Sequence, residues 1–217
     1  IEIADSRNRI IQVGHLERFN PAVVAMREVV DRPMFIESHR LHTFKERGTE
    51  VDVVLDLMIH DIDIILYFVK SELKSIHAAG VPVISSRVDI ANARLVFENG
   101  CVANVTASRI SIKEMRKIRV FQKDAYVSVD CANHDITIIH KDGNGFGLPI
   151  PGMSLQRTSF KEADSLESEL EAFVQSVRAH EAPLVTGMDG RNALRVALII
   201  TDQIKATNKK FLGEKGF

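Results

Sequence analysis

The chain has 217 residues, with 28 Lys plus Arg against 29 Asp plus Glu, 45% hydrophobic residues, no Trp, two Cys and a formal net charge of -1. That balance excludes the basic excess that nucleic-acid backbones demand, and the composition excludes disordered and collagen-like classes. At this length the apolar surface suffices for folding without staples, so Cys101 and Cys131 need not pair, and two cysteines fit a reducing, cytoplasmic compartment. The longest apolar runs, Ile64 to Val69 and Val196 to Ile200, fall far short of the roughly 20 residues that span a bilayer.

The chain opens on Ile1-Glu-Ile-Ala-Asp-Ser6, which reads as the last turns of a helix without a signal pattern, as expected of a fragment of a longer protein. Ile10 to Val13 reads as a buried strand ending at Gly14. Asn20-Pro21 then supplies a cap and first-turn proline for a helix through about Val30. Pro33 to His42 is expected as a strand and residues 43 to 50 as a loop. Val51 to Lys70 lacks Gly and Pro and is apolar around most of its circumference, which predicts a central helix packed on several sides.

From Leu73 to about His140 the residues favour strands: Ser75 to Val83, Val88 to Phe97, Cys101 to Ile110, Arg116 to Gln122, Ala125 to Asp130 and Asp135 to His140. The short turns Glu98-Asn99-Gly100 and Lys123-Asp124 join antiparallel neighbours. The segment from Asp142 to Gly152 is a turn-rich loop before a further strand at Leu155 to Phe160. Two helices close the chain: Ala163 to Ala179, with Leu166, Leu170, Phe173, Val174 and Val177 on one stripe, and Gly187 to Thr207, with a frayed tail from Asn208. The expected fold is α+β, a large mixed and mainly antiparallel sheet with helices on one face.

On the central helix, Asp52, Asp56, His60, Asp63 and Tyr67 fall within an arc of about 80°. A row of ionisable groups on an otherwise apolar helix is costly to bury unless each is paired or lines a cleft. Asp56 and His60, four residues apart, allow the carboxylate to meet the imidazole and fix its tautomer, as a general base requires. A satisfied polar seam is the alternative. A metal site is a weaker one, since Asp61 points away from the stripe and no second His and Asp cluster has ligand spacing.

Elsewhere, Gly143, Gly145 and Gly147 have the wrong spacing for a phosphate cradle, and there is no Gly-Lys-Ser/Thr loop, Gly-x-Ser-x-Gly elbow or Cys-x-x-Cys. Ser108-Arg109-Ile-Ser-Ile-Lys113-Glu-Met-Arg-Lys117 gathers cations at a strand end, suited to a phosphate or to a solvated rim. His15, Glu17, Arg18 and Asn20 follow a buried strand, where open α/β sheets bind ligands.

Gln12-Val-Gly-His-Leu-Glu-Arg-Phe-Asn-Pro21, Asp56-Leu-Met-Ile-His60-Asp-Ile-Asp63 and Pro183-Leu-Val-Thr-Gly-Met-Asp-Gly190 together resemble the glucose-fructose oxidoreductase and inositol dehydrogenase family, Gfo/Idh/MocA. The resemblance covers almost the whole chain. It implies that residues 1–30 are a remnant of a Rossmann dinucleotide-binding domain and residues 31–217 the C-terminal substrate and oligomerisation domain. It implies NAD or NADP as cofactor, a sugar or nucleotide-sugar substrate, no nucleic-acid or membrane partner, and a homodimer or homotetramer joined through the sheet.

Of the family's catalytic Lys, Asp and His, the last two map onto Asp56 and His60. No Glu-Lys-Pro and no glycine fingerprint occur in the chain, so the fragment alone is expected to be inactive. The implied reaction is oxidation of a sugar hydroxyl, with His60 taking the proton, hydride passing to the nicotinamide, and Asp56 orienting His60 or binding a neighbouring hydroxyl. The wording from Asn92 to Arg109 resembles a nucleotide-sugar 3-dehydrogenase branch, which implies UDP-N-acetylglucosamine oxidised at C3. His15, Arg18, Asp63, Arg109 and Lys113 are then the expected substrate-binding residues, with Arg18, Arg109 and Lys113 suited to a diphosphate or sugar. A non-catalytic binding or assembly module and a metal-dependent hydrolase are the alternatives.

Overall fold

The computed structural model describes residues 1–44, 50–141 and 152–212. In chain order these form α1 (Glu2–Ser6), a 3₁₀ turn (Leu16–Phe19), α2 (Pro21–Met26), β1 (Pro33–Leu41), a π-helical turn (Val54–Met58), α3 (Ile59–Val69) and β2 (Leu73–Val81). Then follow β3 (Ile90–Phe97), β4 (Val102–Ser108), β5 (Met115–Gln122), β6 (Ala125–Asp130), β7 (Asp135–Lys141), β8 (Met153–Ser159), α4 (Ser165–Ala179) and α5 (Gly187–Leu212).

The strands make one eight-stranded sheet in the order β2-β3-β4-β1-β5-β6-β7-β8. Every neighbouring pair is antiparallel except β1 and β4, which run parallel because the chain leaves β1 through α3 and returns by way of β2 and β3. The expected mixed, mainly antiparallel α+β fold is the one observed.

Alternation along the strands decides which side is covered. Ile36, Ala91, Ala93, Leu95, Ala103, Val105, Ile118, Val120, Val127, Val129, Ile136 and Ile138 join one core with residues of α2, α3 and α5. The buried alanines of β4, Ala103 and Ala107, form a low floor against which the π turn and α3 pack. On the other face Phe35 and Phe121 lie 5.8 Å apart and Phe121 and Tyr126 5.0 Å apart, centroid to centroid.

Several expected boundaries change. Residues 10 to 13 do not form a full strand; a single bridge joins Gln12 to Thr186. The first full helix stops at Met26, after Asn20 caps it by accepting from the Ala22 amide. The expected frayed tail is helix instead: α5 runs to Leu212, and Asn208 is buried, its Nδ2 donating to the Gly80 carbonyl at 2.9 Å. The apolar stripe of α4 is not a core stripe, since none of its residues is buried. The loop at 142 to 151, with Gly143, Gly145 and Gly147, lies outside the described residues, as do residues 45 to 49 of the expected earlier loop.

Gly190 fixes how closely α5 approaches the segment leading to His15. A Cβ there would stand 2.7 Å from Val13 Cγ2, 3.0 Å from Cγ1 and 3.2 Å from Cβ, so a rotamer change of Val13 cannot clear it. Gly190→Ala is expected to destabilise by about 1–3 kcal/mol from overpacking, outweighing alanine's helical advantage of about 1 kcal/mol. Thermal melting checks this; an unchanged or raised Tm contradicts it.

Candidate active site

The site begins where the central helix departs from regular α geometry. Asp52, itself buried, accepts the Val88 amide on its side chain and both the Leu55 and Asp56 amides on its carbonyl. The next turn is π-helical, with i to i+5 spacing, before α3 resumes at Ile59. The wide turn alters the register between Asp56 and His60. Nδ1 of His60 is buried without a hydrogen-bond partner, so the expected bond from Asp56 to that nitrogen is not formed. Asp56 still acts on His60 through its charge.

The nearer ring is His15. It is buried at the start of the 3₁₀ turn and packs edge to face on His60, with ring centroids 6.0 Å apart and planes at 85°. Its Nδ1 is also buried and unpartnered. Burial, His60 and Arg18 together push His15 down to about 4, against the pull of Asp189. His60 is lowered first by burial and then by Arg40, against Asp61, Glu17 and Asp56. Both imidazoles are therefore neutral near pH 7 and able to accept a proton.

Two buried guanidinium groups flank the pair. Arg40, on β1, donates from Nε to both oxygens of Asp61 at 3.2 Å, from Nη2 to Asp61 Oδ1 at 2.8 Å and from Nη1 to Glu17 Oε1 at 2.8 Å. Glu17 also accepts from Asn20 at 3.2 Å and faces Arg116 at 3.8 Å. Burial pushes the Glu17 carboxyl up, but Arg40 outweighs it and holds the group below its ordinary range.

Arg18, 1% exposed, lies 3.3 Å from Asp63 Oδ2 through Nε and 3.7 Å above the Tyr67 ring. That approach to Asp63 is an ion pair by distance without hydrogen-bond alignment, and Nη1 of Arg18 is buried and unpartnered. Burial drives Asp63 up to about 7, with Asp189 adding and Arg18 opposing. Asp189 is fixed at the start of α5 by the Thr186 amide at 2.8 Å and hydroxyl at 2.6 Å.

The structure thus gathers His15, Arg18, His60 and Asp63, with Asp56 close in charge. Arg109 and Lys113 are not among the main charges acting on either imidazole. Arg109 is buried, donating to the Val51 and Val88 carbonyls and lying 3.8 Å from Asp89. Lys113 is exposed in the turn between β4 and β5. A cleft of about 360 Å³ adjoins the cluster through Glu17 and is lined by Asn20, Arg116, Cys131, His134 and Ser165; His15 and His60 lie outside it.

Arg40 is the residue that sequence reasoning missed. Its signal was parity: it falls in phase with the inward residues Ile36 and Ser38 of an alternating strand, where a charge needs buried partners. Among the described residues no group of three or more His, Cys, Asp or Glu is arranged to hold a metal ion. Nor is any described helix long and apolar enough to cross a membrane.

Comparison with known proteins gives this arrangement relatives. The family model described as GFO/IDH/MocA C-terminal domain matches residues 23–128. UDP-N-acetylglucosamine 3-dehydrogenase of Acidithiobacillus ferrooxidans is 34% identical over 207 residues, covering 95% of this chain and 66% of the relative. Its solved structure superposes with a TM-score of 0.88 over 94% of this chain and 66% of that one. The scyllo-inositol 2-dehydrogenase (NAD(+)) of Bacillus subtilis is 26% identical, covering 90% of this chain and 60% of the relative. The chain therefore spans about two thirds or less of the length of these relatives. With the family model, the 34% identical relative and its superposable structure in agreement, the chain belongs to the GFO/IDH/MocA family and carries its C-terminal domain.

Proposed function

We propose that this chain is the substrate-binding and base-carrying part of an NAD(P)-dependent dehydrogenase that oxidises a hydroxyl of a sugar or nucleotide sugar, with C3 of UDP-N-acetylglucosamine the first candidate. The observation that carries the reading is the edge-to-face pair of neutral imidazoles, His15 buried and His60 half-buried, with unpartnered Nδ1 atoms, on the turn and helix that bear the family's residues. The 34% identical relative supplies the candidate substrate.

His60 takes the proton of the reacting hydroxyl. Asp56, which makes no bond to His60 Nδ1, accepts from a neighbouring hydroxyl. His15 borders the same position, and Arg18 with Asp63 supports it from behind. Lys113, exposed, is the cation offered to a diphosphate, while Arg109 is engaged in holding the Val51 and Val88 carbonyls. A bound nicotinamide supplies the hydride acceptor. The sequence holds neither the glycine fingerprint of a dinucleotide cradle nor Glu-Lys-Pro, and we place that cradle and the family's Lys in the third of the relative's length that the chain does not match. A cytoplasmic setting accords with two buried free cysteines, and assembly as a homodimer or homotetramer with the aromatic outer face of the sheet.

Absorbance at 340 nm tests the reading, using the longer protein that carries this chain, NAD and NADP in turn, and a panel of UDP-sugars, with the 217-residue chain as control. Reduction by the longer protein alone is expected. Confirmed cofactor binding with no reduction of any panel member favours the non-catalytic alternative. Lys113→Ala is expected to raise KM for the active UDP-sugar about 10- to 150-fold, as for loss of one charge-assisted hydrogen bond of about 1.5–3 kcal/mol, with kcat unchanged. An unchanged KM removes Lys113 from the diphosphate site.

A further inference from the structure

Arg40 lies on a central strand of the sheet, 3% exposed, and its guanidinium is shared between two carboxylates on two different elements. Asp61 follows His60 directly on α3. Glu17 stands two residues beyond His15 in the 3₁₀ turn. One side chain therefore ties β1 to both segments that carry the imidazoles. Arg116, opposite Arg40 in the β1–β5 register, backs Glu17 from the next strand. A buried ion pair of this kind is a poor source of net stability, because desolvation offsets its attraction. What a bidentate fork does supply is a fixed geometry, and a lysine cannot reproduce it.

We propose that Arg40 is a positioning residue of this site: by clamping Asp61 beside His60 and Glu17 beside His15, it fixes the two imidazoles edge to face. The clamp has an electrostatic consequence. His60 faces Arg40 from β1, Asp61 and Asp56 from its own helix and the π turn, and Glu17 and His15 from the 3₁₀ turn and its start. Arg40 is the main charge that disfavours its imidazolium, after burial itself. The proposal that this serves catalysis rests on reading His60 as the base.

Histidine-selective NMR on the 217-residue chain tests the clamp without turnover, the signals being assigned by His15→Gln and His60→Gln. In the parent, His60 is expected to titrate below 6.5 and its ring to show a cross-relaxation peak to His15. Arg40→Met is expected to move the His60 midpoint upward and abolish that peak. Arg40→Lys, which keeps the charge but not the fork, is expected to leave the midpoint low and weaken the peak. Asp61→Asn removes a charge that favours imidazolium, and the midpoint is expected to move downward.

A folded Arg40→Met chain with the parent's midpoint and peak overturns the proposal. If that variant does not fold, an unchanged midpoint in Asp61→Asn overturns it instead. In the longer protein, Arg40→Lys is expected to lower kcat by about 10- to 100-fold with KM little changed, as displacement of a reacting group does. Retained turnover in His60→Ala would sink the base reading and leave the NMR result for the clamp standing. Lost turnover in His60→Ala beside an unmoved midpoint in Arg40→Met sinks the clamp alone.

Discussion

Replacing His60 with Ala in the longer protein is expected to lower turnover by about 10²- to 10⁴-fold, the contribution of a positioned general base, while dinucleotide affinity stays at the parent value. The reason is local. His60 is kept neutral by burial and by Arg40, its Nδ1 has no internal partner, and no carboxylate hydrogen-bonds that nitrogen. The ring is therefore held in the form that accepts a proton, and nothing else in the immediate cluster combines neutrality with access to it. His15 is the nearest substitute, but burial first, and then His60 and Arg18, depress its basicity to about 4. Thermal melting separates the two ways in which activity can be lost. A His60→Ala protein that melts with the parent and fails to turn over has lost its base, whereas a large fall in Tm assigns His60 to the structural seam.

The second large effect is on stability and has opposite signs at two residues that share Arg18 and Asp189. His15 falls from an ordinary 6.5 to about 4 in the folded chain. Its contribution is fully present above 6.5 and is lost as pH falls through about 4, because the unfolded chain takes up a proton that the folded chain refuses. Asp63 rises from 3.8 to about 7. Its contribution is fully present below 3.8 and is lost as pH rises through about 7, because the folded chain keeps a proton that the unfolded chain has released. Between about pH 4 and 6.5 the two slopes oppose one another.

At about 1.4 kcal/mol per pH unit for each mismatched proton, either residue alone accounts for about 3 kcal/mol over that window. Relative to the parent, His15→Gln is expected to lose about 3 kcal/mol between pH 4 and 6.5, and Asp63→Asn to gain about as much. Urea denaturation at half-unit pH steps reads both as differences from the parent, so a constant offset from lost packing does not matter. Curves that run parallel to the parent contradict the assignment of buried neutral states to this pair. His60, Arg18 and Asp189 face His15, and Arg18 and Asp189 face Asp63, so the pair reports the charge balance of the whole cluster.

Most of the sheet was legible because its strands alternate and its turns are short: all eight strands match their expected spans to within two residues at either end, with Leu73–Val81 and Met153–Ser159 each beginning two residues earlier than expected. The stripe along the central helix was legible for the same reason, since charge on a greasy helix stands out. The exceptions have separate physical causes. The π turn leaves no mark in composition, because Val54 to Met58 would suit an α-helix equally well, so the Asp56 and His60 geometry could not be read from four-residue spacing.

Arg40 was hidden by distance in sequence. Its partners Glu17 and Asp61 lie 23 and 21 residues away, and only the sheet brings them together. The segment leading to His15 reads as a strand but obtains only one bridge, so its position depends on α5 and Gly190 rather than on pairing. The helix α4 shows the converse. Its periodic apolar residues Leu166, Leu170, Val174 and Val177 are exposed here, because amphipathic spacing identifies a face without identifying what covers it.

The pH dependence of kcat/KM decides whether His60 is the proton acceptor. It is measured by NADH or NADPH formation at 340 nm with the longer protein, for the parent and for His60→Gln, on whichever UDP-sugar is turned over. The parent is expected to lose activity on the acid side through a single ionisation below 6.5, the direction in which burial and Arg40 move His60. The residual rate of His60→Gln is expected to lack that limb. A His60→Gln enzyme with the parent's rate and the same acid limb would place the base elsewhere.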